Sequence, residues 1–491
     1  MSEAISAPQP QAERSRRGNN IAIGLAALAA SAAMLYFGNG LHPIWWLTWF
    51  AIIPVLVVAP RLRAAPAFGV AALAWVIGGF DLWHYAHAYI EIPVGAILIL
   101  LAVPALLFGL VALAFRAFVR RGALGMAVLI VPTLWVTIEY LSEITSPNST
   151  FGNLGYTQMN FLPVIQIASL TGVWGISFCL FLFAAVAAVV AIPTRPASRA
   201  RKVGLVAGVG VFLGGVLIYG AWRVHVTPAA SGSAEVGIIG TGTEHEFPHD
   251  EKSALELLQL YAARIEAAPR DVQVFVLPEK IVLVSDEGTK QVDALFEATA
   301  ARVHATIVVG VDRGTRTRRL NEARVYSPDG TVATYVKHHL VPRLENVDQP
   351  GRGRTLMNEP SGVRGIEICK DMDFPHLSRE YGIDRVGLLL VPAWDFVIDG
   401  WLHGRMAILR GVEDGFTIVR SAKEGRLTVS DSRGRVLAEE NNETGGFHTL
   451  FAAAPELHVN TLYDRWGNWF AWLNIVLAVA LLAAGFRKKA A

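Results

Sequence analysis

Two cysteines in 491 residues exclude a disulfide framework, and they lie too far apart for a zinc site built on thiolates. Charge is scarce too: Asp, Glu, Lys and Arg make up 17% against 53% hydrophobic residues, a balance too apolar for an ordinary soluble protein. The net charge of +2 is spread without a basic face or interleaved aromatics, so nucleic acid is not an expected partner. No motif implies a metal or an organic cofactor. No small-residue cleavage site follows the first apolar run, which therefore reads as an uncleaved span.

What the chain does have is long apolar runs. Crossing a bilayer takes about 20 such residues. Windows near that length fall at 21–38, 43–60, 64–86, 93–115, 123–143, 164–193 and 203–223, with an eighth at 469–486. Lys and Arg then set orientation. The tail at 1–20 carries Arg14, Arg16 and Arg17; the loops after the second, fourth and sixth runs carry Arg61 and Arg63, Arg116, Arg120 and Arg121, and Arg195, Arg199, Arg201 and Lys202. The tail at 487–491 adds Arg487, Lys488 and Lys489, whereas the intervening loops have no Lys or Arg. Both termini are therefore expected in the cytoplasm, the segment 21–223 as a seven-span membrane domain, and 224–466 outside. Asp81 and Glu139 lie near the outer ends of the third and fifth runs, where they are either solvated at the interface or in contact with a substrate headgroup.

Residues 224–466 alternate strand and helix periods. "AEVGIIG" (234–240), "VQVFVLPEK", "TIVVGVD", "GIEIC" and "RVGLLLVPAW" read as strands, and 251–268, 290–303 and 401–414 as helices. "EARVYSPDGTVATYVKHH" reads as a hairpin about Pro-Asp-Gly, and "GFTIVRSAKEGRLTVSDSRGRV" supplies closing strands with a Ser-Arg-Gly turn. Such alternation predicts an α/β sandwich. Cys179 falls in the run "GISFCLFLFAAVAAVV" and is expected to be inert. Glu279, Lys337 and Cys369 fall just past strand ends, where α/β sheets carry their sites. Taken singly, each has an ordinary explanation as a turn carboxylate, a surface ammonium or a core thiol. Together they permit one chemistry: Glu279 as general base, Cys369 as nucleophile with its pKa lowered by a cation, and Lys337 with the backbone N–H of Lys370 stabilising an oxyanion. The product is a thioester acyl-enzyme resolved by a second nucleophile.

"LPEK", "YVKHHLVP" and "GIEIC", in that order, resemble the Glu-Lys-Cys segments of the nitrilase (carbon–nitrogen hydrolase) superfamily. "HGRMAILRGVEDGFTIVRSAKEGRLTVSDSRGRV" looks like its following helix and strands. "FGNLGYTQ" and "IQIASLTGVWGISF" resemble segments of its membrane branch, the apolipoprotein N-acyltransferase family, which also has eight spans and a catalytic domain outside, between the last two. The resemblance implies a polytopic α-helical membrane domain joined to an extracytoplasmic nitrilase-like sandwich in a bacterial inner membrane. It implies acyl transfer from a phospholipid, through Cys369, to the N-terminal amine of a diacylglyceryl-cysteine lipoprotein. Glu345 matches a carboxylate position of the family, and Asn321 the asparagine before its hairpin.

Several positions depart from the family pattern. Lys370-Asp371 replaces Tyr-Glu, "GTG" replaces Gln-Gly-Asn, and "VPAWDF" keeps Trp394 without the preceding Asn-Asp pair. "RLENVDQPGRGRTLMNEPSGVR" is short and polar where the acyltransferases carry a longer apolar arm. These departures keep two other enzymes in view: an acyltransferase acting on a different amine, and a membrane-tethered amidase or hydrolase in which water replaces the amine. A transporter or sensor with a decayed site is a third reading, against which the intact Glu279, Lys337 and Cys369 argue.

Overall fold

The computed structural model describes residues 10–193, 199–226, 232–243, 248 and 250–487, with side chains from 18 to 485. Arg195, Lys488 and Lys489 lie outside the described residues, as do 1–9 of the expected N-terminal tail. Among the described residues, six helices are long and apolar enough to cross a membrane: Gly18–Gly38, Ala64–Leu82, Val94–Arg120, Leu124–Thr145, Trp174–Ala191 and Arg199–His225. Shorter apolar helices occupy Leu47–Val58, Leu162–Thr171 and Trp469–Gly485.

The expected second and sixth spans are interrupted, each for a local reason. The second divides into Leu47–Phe50 and Ile53–Val58, with a proline in the first turn of the latter. The sixth breaks at Gly172, whose φ is +68°, before resuming at Trp174. The third gives way after Gly78 to a 3₁₀ turn at Gly79–Leu82 and a π-helical turn at Tyr85–Tyr89. Aromatic contacts knit the helices together, with Trp135 against Phe181 at 5.0 Å and Trp75 at 4.3 Å between ring centroids. Cys179 is buried among them.

The α/β half has two sheets. The first contains β1 (Ser233–Thr241), β2 (Val274–Val276), β3 (Leu283–Val284), β4 (Thr306–Thr315), β5 (Arg318–Tyr326), β6 (Val332–Val336) and β13 (Phe447–Pro455), in the order β13-β1-β2-β4-β5-β6 with β3 beside β4. The second runs β12-β11-β10-β9-β8-β7, formed by β7 (Leu356–Glu359), β8 (Gly362–Ile366), β9 (Val386–Trp394), β10 (Thr417–Lys423), β11 (Arg426–Ser430) and β12 (Val436–Asn441). Period-2 alternation builds the layers. On β4, Val308 packs between the sheets while Ile307, Val309 and Val311 meet helices Glu251–Glu266 and Asp286–Val303. On β9, Leu388 and Leu390 face inward while Leu389 and Val391 meet helices Pro375–Ile383 and Gly400–Asp414. The result is a helix–sheet–sheet–helix sandwich, and each fully buried side chain of this kind contributes about 1.5–3 kcal/mol.

Helix Gly400–Asp414 also docks the two halves. Trp401, Leu402, Met406, Leu409 and Val412 share a core with Val136, Ile165, Val173 and Trp174 of the membrane half. Being apolar on two faces, it is buried along most of its length.

Candidate active site

Strand direction brings the reactive residues to one edge. β2 and β4 are parallel, β6 regains their direction through the antiparallel β5, and β8 runs parallel to β9 in the other sheet. Glu279 follows β2, Lys337 follows β6, and Cys369 follows β8. The two sheets are tied here by the Glu279 N–H, which donates to the Ala393 carbonyl at 3.2 Å.

Lys337 is buried and donates to Glu279 Oε1 at 2.8 Å and Glu345 Oε2 at 3.0 Å. Asn321 donates to the same two carboxylates, at 2.6 Å and 3.1 Å, and its carbonyl takes the Lys337 N–H at 2.9 Å. Glu345 further accepts from the Val341 N–H and from Lys280, both at 2.6 Å. Burial alone pulls the Lys337 ammonium down, but Glu279 and Glu345 outweigh it and hold the pKa well above the ordinary value. Burial likewise pushes Glu345 up, and Lys337 and Lys280 more than reverse it, leaving that carboxyl far below the usual range.

Strand β8 ends at Ile366, and Cys369 does not extend it as the sequence suggests. It opens a 3₁₀ turn, Cys369–Asp373, with φ at +45°. A non-glycine residue in that region costs about 1–3 kcal/mol and needs support from its surroundings. Its Sγ lies 3.6 Å from the Trp394 carbonyl. Burial pushes the thiol well above its ordinary pKa and Glu279 adds to this; Lys337 pulls it down, as the sequence reading expects, but is outweighed, so the net shift is upward and not downward. This environment favours the neutral thiol over the thiolate.

The supporting residues divide. Asp371 is buried and accepts from the Tyr335 hydroxyl at 2.7 Å, the His339 N–H at 2.8 Å and His339 Nδ1 at 2.9 Å, fastening the cysteine turn to the segment after Lys337. Lys370 turns toward the membrane half, donating to Asn148 Oδ1 at 2.9 Å. Trp394 donates to Glu424 at 3.0 Å, with the Lys423 ammonium 4.2 Å above its ring.

One cavity of about 1510 Å³ joins all of this. Glu279, Lys337, Glu345, Cys369, Lys370 and Trp394 line it from the α/β half, and Trp75, Leu100, Val103, Leu107 and Trp135 from the membrane half. Glu139 also lines it, accepting the Leu154 N–H at 3.3 Å, whereas Asp81 sits against Gly40 and is not among the lining residues.

Several cavity residues escape a sequence reading. Lys280, next to Glu279 in "LPEK", pairs with Glu345 and Asp348 at 2.6 Å each and belongs to the same charge network. Arg420 pairs with both oxygens of Asp395 behind the thiol. Asp395, Asp399 and His403 bring ligand-type atoms within 4.8 Å of one another. Arg420 nevertheless occupies both Asp395 oxygens, and His403 Nδ1 lies 3.0 Å from Asp399 Oδ2, so the set is internally ion-paired.

Residues 31–186 match the family model described as the apolipoprotein N-acyltransferase N-terminal domain. The chain is 28% identical to a protein of Geobacter metallireducens named apolipoprotein N-acyltransferase, covering 93% of this chain and 94% of that one. A protein of the same name from Gloeobacter violaceus is 26% identical, with 96% of each chain covered. Among solved structures, an amidase from Nesterenkonia sp. is similar over 50% of this chain and 98% of its own, at 20% identity and a TM-score of 0.42. Nit3 of Saccharomyces cerevisiae, a nitrilase-superfamily member, is similar at 19% identity and a TM-score of 0.40, covering 49% of this chain and 95% of its own.

Proposed function

We propose that this chain, which belongs to the apolipoprotein N-acyltransferase family, moves an acyl chain from a phospholipid through a Cys369 thioester to the N-terminal amine of a lipoprotein. The observation that carries the reading is the cavity, which has Cys369, Glu279 and Lys337 at one end and apolar membrane-half side chains at the other. A lipid tail seated there leaves water at about 0.8 kcal/mol per buried methylene.

The chemistry follows from the contacts. Glu279 takes the proton of the Cys369 thiol as sulfur attacks the ester carbonyl. The oxyanion is met by the Lys337 ammonium and the Lys370 N–H, each such donor contributing about 3 kcal/mol at the transition state. The lysophospholipid oxygen leaves with the proton held by Glu279, and the acyl group stays on sulfur. The acceptor amine then attacks the thioester and loses a proton to Glu279, and the departing sulfur regains that proton. Asn321 and Glu345 hold Glu279 and Lys337 in register throughout.

In this reading the chain crosses a bacterial inner membrane eight times, with Leu47–Val58 and Trp469–Gly485 supplying the second and eighth crossings beside the six long helices and Leu162–Thr171 sharing the sixth with Trp174–Ala191. The α/β half lies outside and both termini lie in the cytoplasm. Support comes from the Arg-bearing helix ends, which bond to one another away from the α/β half: Arg116 to the Leu62 carbonyl at 3.1 Å, and Arg121 to the Gly485 carbonyl at 3.0 Å.

The test supplies purified protein with defined phospholipids and isolates the Cys369 peptide. A mass increase equal to one acyl group is expected, discharged by a diacylglyceryl-cysteine peptide carrying a free α-amine and retained by the same peptide with that amine blocked. Release of fatty acid as fast without acceptor as with it would identify a hydrolase instead.

A further inference from the structure

The turn that carries Cys369 is gripped from both halves of the chain. Asp371 fixes it on the α/β side through Tyr335 and His339. Its flanks are held by the membrane-half loop 146–153. Lys370 donates to Asn148 Oδ1 at 2.9 Å, and the Asp373 carbonyl accepts from Thr150 Oγ1 at 2.7 Å. Thr150 and Asp373 are both buried, as are the groups behind them.

The bonds behind Thr150 have a fixed sense. Arg410 can only donate and the Asp373 carbonyl can only accept. Arg410 Nη2 therefore donates to the Tyr156 hydroxyl at 2.9 Å, Tyr156 to Thr150 Oγ1 at 2.6 Å, and Thr150 to Asp373. Arg410 is itself set by Glu413 at 2.9 Å, and Glu413 accepts the Val173 N–H at 2.7 Å, at the start of membrane helix Trp174–Ala191. A buried chain of oriented hydrogen bonds, joined through the Arg410–Glu413 ion pair, thus runs from a membrane helix to the backbone of the cysteine turn.

We propose that loop 146–153 is a positioning element of the active site. Asn148 and Thr150 hold the turn that presents Cys369, so the thiol takes its working geometry only while the two halves are docked. The inference rests on Cys369 being the nucleophile. It accounts for a feature the fold alone leaves unexplained: a cysteine at positive φ in a single 3₁₀ turn, with four of the turn's five residues bonded outside it, two of them to the membrane half. Without Thr150 and Asn148 the turn keeps its contacts to the α/β half, those of Asp371 and the weak Cys369 Sγ bond to the Trp394 carbonyl, and loses its hold on the membrane half.

The test uses the full chain in detergent with N148A and T150V, and with N148D and T150S, which keep the acceptor oxygen and the hydroxyl. Two quantities are read: acyl transfer per titratable Cys369, and the pH profile of Cys369 alkylation by iodoacetamide, followed by mass of its peptide. N148A and T150V should lower kcat by roughly 10–100-fold with KM changed by less than about 2-fold, the scale expected for a small displacement of a reacting atom. Their alkylation profiles should move to lower pH as the loosened thiol gains water. N148D and T150S should recover most of the rate. An unchanged kcat per titrated thiol with an unchanged profile would overturn the proposal, and so would equal losses in T150S and T150V. Alkylation needs neither lipid nor acceptor. A wild-type protein that alkylates as expected but transfers no acyl group therefore counts against the function, while the profiles still decide the positioning role.

Discussion

A thiol kept protonated by burial and by a neighbouring carboxylate reacts only as its proton is removed, and both effects meet at Glu279. E279Q keeps the shape and removes the charge, so its two consequences carry opposite signs. Acyl transfer should fall by about 10²–10⁴-fold because the base is lost. Alkylation of Cys369 should shift to lower pH, because a negative charge that disfavoured the thiolate is gone. A profile that stays in place or moves upward would separate Glu279 from the thiol. Lys337 offers no test as clean: it is buried between two carboxylates, and removing it leaves Glu279 without its paired cation, while Glu345 keeps Lys280, at about 3–5 kcal/mol for a broken buried pair, so a lost activity would mix chemistry with folding. Glu279, Lys337 and Cys369 were legible in the sequence as reactive types past strand ends, and Glu345 and Asn321 through the family resemblance. Asn148, 222 residues from its partner Lys370, was not, and neither was the positive φ of Cys369. Both depend on tertiary contacts that no local period encodes.

Elements rich in one period were read well. β1, β4 and β9 and the helices Glu251–Glu266 and Gly400–Asp414 fall where alternation or helical spacing put them. β7, β13 and helix Pro375–Ile383 were not anticipated, since β7 and β13 are edge strands of mixed burial that carry little of the core. One glycine shows how an element sets the site. Gly310 lies on β4 where the backbone of 278–279 crosses it; a Cβ there would meet the Pro278 oxygen at 2.2 Å and the Glu279 Cα at 2.6 Å. The Ile281 N–H also donates to the Gly310 carbonyl at 2.9 Å, so the two backbones are held in contact. G310A must displace the backbone that carries Glu279. The expected outcome is a kcat lowered by roughly 10²-fold, with helical content retained by circular dichroism. Wild-type turnover in that variant would mean that the base tolerates displacement or lies elsewhere.

At the scale of the whole molecule, hydropathy located the apolar runs but not their interruptions: it counts residues and is blind to a proline in a first turn or a glycine at positive φ. The break at Gly172 falls where the membrane half meets the α/β half, beside helix Gly400–Asp414, while the one at 51–52 lies within the membrane half's own core, and the cavity opens between the two halves. Its apolar wall follows helix Val94–Arg120, with Ala96, Leu100, Val103 and Leu107 on the lining. At about 1.5 Å per residue, Leu107 lies roughly 16 Å along that axis from Ala96, a length suited to a lipid tail. If a tail lies along this wall, bulk placed at different depths must act differently. A96W, near the reactive end, should block loading of Cys369 by acyl donors of every length. L107W, far from it, should admit short chains and reject long ones. Competing phospholipids of mixed chain length, with the mass of the acyl group on Cys369 as readout, measures this directly. An unchanged distribution in L107W would mean that the tail takes another path, because a tryptophan in the space of a leucine cannot be accommodated in an occupied groove without shortening what fits beside it.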